Sequence, residues 1–391
     1  MKRAILIIVV CMLCMSLQLP AAAFYEHQSQ VQPRNSRNEF GSLLFQTMVA
    51  QEPDNILISP VSVHSALSIT ARGANGSTAD QMRNLLSPDE AFGAVDGAEH
   101  GLSIANSIWV HETYPLSQRF SHDVATDFGA SVERLDFLDP RGADTINDWV
   151  SHATNHTITS IIDDLEPDMR MIIVNAVHFL GEWVMQFDPN DTRERVFYAP
   201  RGSYATDFMH NEASMLRFEL QGAQGVVLPY TGNRFRFFAL LPPGDMEVGQ
   251  WTGELGSQLI DSVYNAMGSA RSERTRLALP KFIDRFDSEL SSPLKAMGMT
   301  DPFDPSIADF SGMNEQGMRD LFVDEVLHKT FIRVDEEGTE AAAVTAVVMR
   351  LTSIMPSGTP LIFDRPFLYG LIDTETESAL FLGIMRSPES P

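Results

Sequence analysis

The sequence has almost no cysteine, since its 391 residues include only Cys11 and Cys14. Both lie in an apolar N-terminal run that follows two basic residues and precedes three alanines, which is the order of a secretory signal peptide. We therefore predict that residues 1–23 are removed and that the mature chain, 24–391, is secreted. A mature chain without thiols excludes a cysteine nucleophile, a cysteine-ligated metal and a disulfide framework.

Basic residues are also scarce, with 28 Lys and Arg against 52 Asp and Glu, so the formal charge is −24 at pH 7. Loss of Lys2 and Arg3 with the signal peptide would change this charge to −26. Proteins that bind nucleic acid neutralise phosphates with clustered Lys and Arg, so we predict no nucleic-acid partner. The N-terminal apolar run is short for a bilayer span and no later segment is apolar enough, so we predict no membrane partner.

Motifs of enzymes and metal sites are missing as well. The chain has no G-x-S-x-G, no H-E-x-x-H and no G-x-x-x-x-G-K-[ST], and its ten histidines lack metal-ligand spacing. Ser292-Pro-Leu-Lys295 matches the S-x-x-K pattern of penicillin-recognising enzymes, but the partner motifs of those enzymes are absent. We therefore predict a protein that is not an enzyme and that needs no metal or cofactor.

The residues that are present indicate one large folded α+β domain, since 44% of them are hydrophobic and no linker or repeat divides the chain. Helical periodicity dominates its first part and strand signals dominate its second part. The predicted helices are 38–50, 60–71, 117–129, 143–154 and one that is capped by Ser77 or Thr78 and ends at Leu86. The predicted strands are 171–179, 235–241, 274–279, 321–334, 367–372 and 379–384.

One segment, 336–355, does not fit this order because it directly follows a predicted strand. Between Gly338 and Pro356 it has no further Gly or Pro but many small and β-branched residues, which are typical of strands. With a period of two, one face consists of small residues: Thr339, Ala341, Ala343 and Thr345. Such side chains can pass between existing strands. An ordinary helix or strand is the alternative, which periodicity alone favours.

This segment resembles part of a known family. The run Glu336-Glu337-Gly338-Thr339-Glu340-Ala341-Ala342-Ala343 is similar to the reactive-centre-loop hinge of inhibitory serpins, and Phe-Asp-Arg-Pro-Phe at 363–367 is similar to the segment after that loop. Further matches cover almost the whole mature chain, at 55–62, 175–187, 279–282, 294–299, 309–312 and 326–329. The sequence is therefore identified as a member of the serpin family, of the inhibitory and secreted type.

The resemblance implies the serpin fold, with about eight to nine helices around three β-sheets and an exposed reactive-centre loop at about 336–360. It implies an inhibitor held in a metastable state. A serine protease cleaves the loop and becomes acylated, and the loop then inserts into the central sheet as an extra strand, carrying the protease with it. Loop insertion in serpins is itself a standard example of strand addition.

The resemblance also assigns roles to residues in and below the loop. The hinge comprises Glu336, Glu337, Gly338, Thr339, Glu340, Ala341, Ala342, Ala343 and Thr345, with Gly338 expected to give the backbone freedom. A buried polar cluster that governs opening of the sheet maps to Asn55, Ser59, Ser62, Asn175 and His328. For each of these, a satisfied polar group of the core is the alternative. The loop-insertion point maps to Trp183 and Lys281, where we predict an ion pair between Lys281 and Glu336.

In the family, the scissile residue is the seventeenth when the first hinge glutamate is counted as one. This position is Thr352, followed by Ser353, and it suits an elastase-like protease. A register change of one residue gives Leu351, which suits chymotrypsin- or elastase-like enzymes. Arg350 would attract trypsin-like enzymes but would shorten the inserted strand. We rank Thr352 first, Leu351 second and Arg350 third.

Further predictions concern partners, modification and the alternative function. Residues 87–100 contain four acids and no Lys or Arg, so heparin binding is not expected. Asn75, Asn155 and Asn190 each begin an Asn-x-Ser/Thr triplet and are candidate glycosylation sites. We expect a monomer. The alternative is a non-inhibitory serpin that serves as a carrier, chaperone or storage protein, although the hinges of such members commonly contain bulky, charged or proline residues.

Overall fold

Eight α-helices and sixteen strands form the regular structure of the residues that this computed structural model describes, which are 36–86, 101–244, 246–339 and 358–389. The helices are α1 (Ser36–Val49), α2 (Pro60–Ala71), α3 (Gly76–Leu86), α4 (Gln118–Phe128), α5 (Gly142–Ala153), α6 (Val248–Leu255), α7 (Leu259–Gly268) and α8 (Ser291–Ala296). The described residues all lie within one compact unit.

Local chemistry explains where the helices begin and end. Pro60 occupies the first turn of α2, where its missing N–H costs nothing. The Ser117 hydroxyl accepts the Phe120 N–H at the start of α4, and Gly129 ends that helix with a φ of 61°. The predicted helices 38–50, 60–71, 117–129 and 143–154 are confirmed within two residues at each end.

The predicted start of the third helix is wrong. Helix α3 begins at Gly76, so Ser77 and Thr78 lie inside its first turn. The Thr78 hydroxyl accepts a hydrogen bond from the Asp309 N–H at 3.0 Å. This hydroxyl therefore ties α3 to a distant loop.

The strands are β1 (Ile56–Ile58), β2 (Leu102–His111), β3 (Ser131–Leu135), β4 (Met171–Phe179), β5 (Gly181–Glu182), β6 (Arg193–Ala199), β7 (Gly202–Leu220), β8 (Ala223–Pro229), β9 (Phe235–Leu241), β10 (Arg271–Pro280), β11 (Phe282–Glu289), β12 (Glu325–Val334), β13 (Gly338–Thr339), β14 (Thr359–Ile362), β15 (Phe367–Asp373) and β16 (Ser378–Met385). The predicted strand 321–334 is too long, because the Val323 N–H bonds to Pro302 and β12 starts only at Glu325.

Two hydrogen-bonded sheets contain the described strands. The first has seven strands in the order β3-β2-β4-β12-β13-β5, with β11 paired to the other edge of β12. The second has nine strands in the order β1-β16-β15-β9-β8-β7-β10-β14, with β6 paired to β7. Strand β7 runs for 19 residues and pairs in turn with β6, β10 and β8. Because β7 is continuous, two of the three expected sheets form one nine-stranded sheet here. The α+β class and the serpin architecture agree with the prediction.

The core lies on both faces of the seven-stranded sheet. A large apolar cluster fills the space between this sheet, the second sheet and helices α1 and α2. A smaller cluster packs α5 against the opposite face through residues such as Ile146, Val150 and Ile172. Strand β4 is buried along its whole length, as its nearly all-apolar sequence predicts. In the described part of the chain, no helix has both the length and the apolar character to cross a membrane.

Candidate functional site

A seam between two parallel strands lies at the centre of the seven-stranded sheet. Strands β4 and β12 pair directly over seven residues, from Ile172 opposite Glu325 to His178 opposite Phe331. Beyond this stretch the two strands diverge. The short strand β13 then lies between the end of β12 and β5, which continues the direction of β4. The seam is therefore closed along most of its length and occupied by the hinge at its carboxyl end.

The hinge enters this gap through a tight reversal of the chain. After Val334 the backbone turns over Asp335–Gly338, so that Thr339 pairs antiparallel with Val334. On its other side, β13 pairs antiparallel with β5, with Gly338 opposite Glu182 and Thr339 opposite Gly181. Gly338 and Thr339 of the hinge thus already form a strand of the sheet, and this strand runs in the direction of the seam.

The side chain of Asp335 caps this turn, a role that sequence reasoning missed. One of its carboxylate oxygens accepts the N–H groups of Glu337 and Gly338, at 3.0 and 3.3 Å. The other oxygen lies 3.1 Å from Nε of Arg333. Aspartate commonly stabilises turns by accepting the N–H two residues on, so the Asp-Glu-Glu-Gly sequence carried a usable signal.

The predicted ion pair between Lys281 and Glu336 is present. The Lys281 Nζ lies 2.8 Å from one carboxylate oxygen of Glu336, and the Thr192 hydroxyl donates to the other at 2.6 Å. Burial alone would raise the pKa of Glu336, but the hydrogen bonds from Lys281 and Thr192 outweigh it and hold this pKa below its ordinary value. The backbone of the hinge is also bound, since Glu336 and Glu337 carbonyls accept the N–H groups of Phe187 and Trp183 at 2.9 Å.

Aromatic side chains bury the first inserted threonine. Thr339 has no exposed surface, and its hydroxyl lies 2.5 Å from the Tyr230 hydroxyl. The Tyr230 ring stacks on Trp183 with centroids 4.4 Å apart, and the Trp183 Nε1 donates to the Asp335 carbonyl at 2.9 Å. Burial raises the pKa of Tyr230 far above its ordinary value, so its hydroxyl stays neutral. Tyr230 was also missed from the sequence, because it comes from a different sheet.

The structure gives a steric reason for Gly338 in addition to the predicted backbone freedom. It is absent from the described residues with positive φ, so its backbone is one that other residues adopt. A Cβ at this position would instead collide with the carbonyl oxygen of Gly181 and with the backbone of Glu182. In this conformation, the absence of a Cβ permits the close approach of β5.

Four of the five predicted cluster residues meet in the middle of the seam. Asn175 of β4 lies in register with Asn106 of β2 and with His328 of β12. Its amide donates to the Ser62 hydroxyl and to the Asn106 carbonyl oxygen, and its own carbonyl oxygen lies 2.6 Å from Nδ1 of His328. The Ser59 N–H donates to Nε2 of His328 at 3.1 Å. All five residues in these contacts are buried.

These contacts fix the protonation state of His328. Because Nε2 accepts the Ser59 N–H, the proton of the neutral ring lies on Nδ1 and is donated to Asn175. Burial lowers the pKa of His328 to about 3. The hydrogen bond between His328 and Asn175 thus joins two neutral groups directly across the seam.

The assignment of Asn55 to this cluster is wrong. Its carbonyl oxygen accepts the N–H groups of Arg386 and Ser387 at 2.8 and 2.9 Å. Asn55 precedes β1, which pairs with β16 in the nine-stranded sheet, and this position aims its amide at the end of the chain. Asn106 takes part in the cluster instead. It was missed because its pairing with Asn175 depends on a register between strands far apart in sequence.

Several predicted residues lie outside the described part of the chain. They are the signal peptide, the region 87–100, the hinge residues Glu340, Ala341, Ala342, Ala343 and Thr345, and the candidate cleavage residues Arg350, Leu351, Thr352 and Ser353. The three candidate glycosylation residues, Asn75, Asn155 and Asn190, are described and exposed. Within the described ranges, no group of three or more His, Cys, Asp or Glu side chains is placed to hold a metal ion.

Comparison with known proteins gives consistent results. A family model described as Serpin (serine protease inhibitor) matches residues 35–388. An uncharacterized serpin-like protein of Thermococcus kodakarensis is 32% identical over 373 residues, covering 91% of this chain and 85% of that protein. Intracellular coagulation inhibitor 2 of Tachypleus tridentatus is 32% identical over 394 residues, covering 93% of each chain. The crystal structure of the thermophilic serpin tengpin in its native state matches with a TM-score of 0.78 and 31% identity, covering 90% of this chain and 93% of that one.

Proposed function

The chain belongs to the serpin family, and we propose that it is a secreted inhibitor that traps a serine protease by inserting its cleaved loop into the seam between β4 and β12. The serine of the protease attacks the carbonyl carbon of Thr352, and the amine of Ser353 leaves. The protease is then held through an ester to Thr352. Insertion of the freed segment 340–352 displaces the protease and distorts its active site before water can hydrolyse this ester.

The observation that carries this proposal is the position of β13. Gly338 and Thr339 already lie between β12 and β5, antiparallel to both, as an inserted strand would. The next residues have only to continue in the same direction, between two strands that now pair with each other. Each inserted residue would exchange hydrogen bonds across the seam for bonds to two neighbours.

The register of β13 supports a specific arrangement of the inserted strand. Thr339 lies opposite Val334 and Gly181. Continued by six residues, the same register brings Thr345 between His328 and Asn175. Because side chains alternate, Thr345 would lie on the same face as the buried Thr339. We infer that the Thr345 hydroxyl replaces the hydrogen bond between His328 and Asn175 that insertion must break.

The face that would become buried suits this movement. Ala341 and Ala343 lie on it between the two threonines, and neither adds bulk or charge. An unpaired charge is costly to bury, whereas Glu340 and Ala342 would lie on the opposite face. Most carriers and storage members are expected to lack such a hinge, which is why we prefer inhibition.

The protease class follows from the bond that is cut. We propose Thr352–Ser353, which suits an elastase-like enzyme, with Leu351 and Arg350 as the second and third choices. Secretion is proposed from the leader sequence in residues 1–23. The exposure of Asn75, Asn155 and Asn190 is compatible with glycosylation during secretion.

The experiment is to mix the full mature chain with elastase, chymotrypsin and trypsin. A complex that survives boiling in detergent is expected with at least one of them, and mass spectrometry of the released peptide would identify the scissile bond. Cleavage of the loop should also raise the melting temperature. Absence of a stable complex with all three, together with an unchanged melting temperature, would favour the non-inhibitory alternative.

A pair of charge substitutions tests the insertion step. Thr345→Arg should convert the inhibitor into a substrate, since the charge would be buried beside Asn175 and His328. Glu340→Arg is the matched control, because residue 340 would lie on the opposite face. Trapping by Thr345→Arg at the wild-type level would contradict insertion in this register.

A further inference from the structure

Two exposed histidines meet at the carboxyl end of helix α5. The centroids of the His152 and His156 rings are 5.3 Å apart, and the ring planes meet at an angle of 63°. Two imidazoles that bind one tetrahedral metal ion through bonds of about 2.0–2.1 Å have their centroids roughly 5 Å apart. The two rings therefore already have the separation that a shared metal ion would impose on them.

The backbone after α5 brings the second ring back to the first. Asn155 and His156 have positive φ angles of 49° and 65°, which are uncommon for residues other than glycine. These two residues reverse the chain, and the His156 N–H donates to the Ser151 carbonyl at 2.7 Å. Because α5 ends at Ala153, the reversal and not helical spacing places the two rings together. Backbone conformations of this kind are concentrated at functional sites.

Hydrogen bonds leave one nitrogen of each ring available for a ligand. The Nδ1 of His152 lies 2.6 Å from the Asp148 carbonyl oxygen, which can only accept, so the proton of the neutral ring is on Nδ1. The Nδ1 of His156 lies 2.9 Å from the Ser151 hydroxyl, which can accept in the same way. Nε2 of each ring then carries a lone pair. Histidines that bind metal ions commonly have their other nitrogen bonded in this manner.

The charges around the two rings favour a cation. His152 lies in the last turn of α5, and the carbonyl groups at the carboxyl end of a helix carry partial negative charge. Asp148 lies one turn earlier, so its carboxylate adds to the negative potential on the same side of the helix. Imidazole nitrogen is a preferred ligand of Zn²⁺, whereas Mg²⁺ prefers oxygen ligands.

We propose that His152 and His156 form a binding site for a divalent cation of the zinc class, which both Nε2 atoms bind and whose coordination water completes. Ser151 is a positioning residue, because its hydroxyl orients the His156 ring. The ion would join the last turn of α5 to the reversed segment that follows it. That segment continues to Ile158 and Ile161, which belong with α5 to the apolar cluster on one face of the seven-stranded sheet. Bound metal would therefore stabilise this cover of the sheet.

Calorimetric titration of the mature chain with Zn²⁺ at neutral pH tests the site. The chain is produced without glycans, because Asn155 is a candidate glycosylation residue. His152→Ala and His156→Asn should each weaken Zn²⁺ binding at least tenfold, and asparagine tolerates the left-handed backbone at position 156. His122→Ala, exposed on α4, is the matched control and should bind Zn²⁺ as the wild type does. Equal affinities for Zn²⁺ in the wild type and both site variants would overturn the proposal, as would binding of Mg²⁺ with the same affinity.

Melting temperatures separate metal binding from an effect of the substitutions on the fold. Zn²⁺ should raise the melting temperature of the wild type and of His122→Ala, a chelator should reverse the rise, and His156→Asn should show none. Ser151→Ala should weaken Zn²⁺ binding about tenfold, whereas Ser151→Thr keeps the hydroxyl and should retain the affinity. Without metal, all these variants should melt as the wild type does. Loss of affinity only in variants that already melt lower without metal would contradict direct binding by the two rings.

Discussion

The seam between β4 and β12 is held by charged groups at its carboxyl end and by neutral groups in its middle. At the end, Glu336 is bound by Lys281, whose side chain is partly exposed. In the middle, His328 and Asn175 are both buried and neutral, and they bond directly across the seam. The end already contains two residues of the hinge, while the middle is closed.

One end of the sheet holds the hinge, whereas the middle of the seam stabilises the molecule. At the insertion point 22% of the Lys281 side chain is exposed, so water can compete for its ion pair with Glu336. Contacts in the middle are sheltered from water, and breaking them without a replacement leaves buried polar groups unsatisfied. We therefore expect changes in the middle to alter the stability of the whole molecule, and changes at the end to act mainly on the hinge.

The largest effect is expected for Asn175→Ala, which removes every hydrogen bond through which this side chain joins three strands and α2. Its partners Ser62, Asn106 and His328 would each lose a contact in the core. At about 1–3 kcal/mol for a buried polar group left unpaired, the free energy of unfolding should fall by about 3–5 kcal/mol in urea titrations. Asn265→Ala, in the exposed face of α7, should change it by less than about 0.5 kcal/mol. Equal losses in the two variants would remove the distinction between the middle of the seam and an ordinary surface.

Local patterns in the sequence predicted much of the seam. The apolar run 171–179 coincides with β4, and the hinge residues Glu336 and Gly338 lie where the resemblance implied. The ion pair of Glu336 with Lys281 was also predictable, because each of the two residues lies in a motif that is specific to the family. These features depend on neighbouring residues or on motifs with fixed spacing.

Features that depend on pairing between distant strands were not predictable. Asn106 enters the cluster only because β2 and β4 pair in a particular register. Asn55 leaves it because β1 belongs to the other sheet, where its amide meets Arg386 and Ser387. Tyr230 reaches Thr339 from yet another strand end. Such contacts leave no local signal in a single sequence.

The second prediction uses pH to probe the middle of the seam. In the folded state the pKa of His328 is about 3, against an ordinary value of 6.5. The unfolded chain therefore takes up a proton first as the pH falls, and stability is lost from about pH 6.5 downward. The loss approaches about 1.4 kcal/mol per pH unit well below pH 6.5, and it amounts to about 2 kcal/mol between pH 6.5 and 4.5.

The variant His328→Gln lacks this proton uptake. The difference in the free energy of unfolding between wild type and variant should therefore narrow in acid. Burial also lowers the pKa of His64, to about 4. The resulting loss of stability in acid is common to both proteins and cancels in the comparison. Urea titrations at pH 7, 6, 5 and 4.5 would measure the two profiles. Parallel profiles would show that His328 does not titrate between the folded and unfolded states as proposed.

The third prediction concerns close packing at the insertion point. Gly338→Ala places a methyl group against the Gly181 carbonyl, so β13 or β5 must shift. A loss of about 1–3 kcal/mol in the free energy of unfolding is expected from this overpacking. Gly268→Ala is the matched control, because a Cβ there meets no atom within 4 Å and Gly268 lies at the end of α7. A loss in both variants would point to a general effect of removing glycine.

The smallest effect is expected for the ion pair at the end of the seam. Glu336→Gln keeps an acceptor for the Thr192 hydroxyl but loses the charge that faces Lys281, and about 1 kcal/mol of stability should be lost at pH 7. Because the folded-state pKa of Glu336 lies below its ordinary value of 4.5, the contribution of the pair is full above that value. It disappears as the pH falls through the lowered pKa, so wild type and variant should converge once the pH lies below that pKa. Lys281→Met should have a similar effect at pH 7, and the double variant should add little to either single one. Fully additive losses would mean that the two side chains act independently, and the contrast between a charged end and a neutral middle would then no longer explain how the hinge is held.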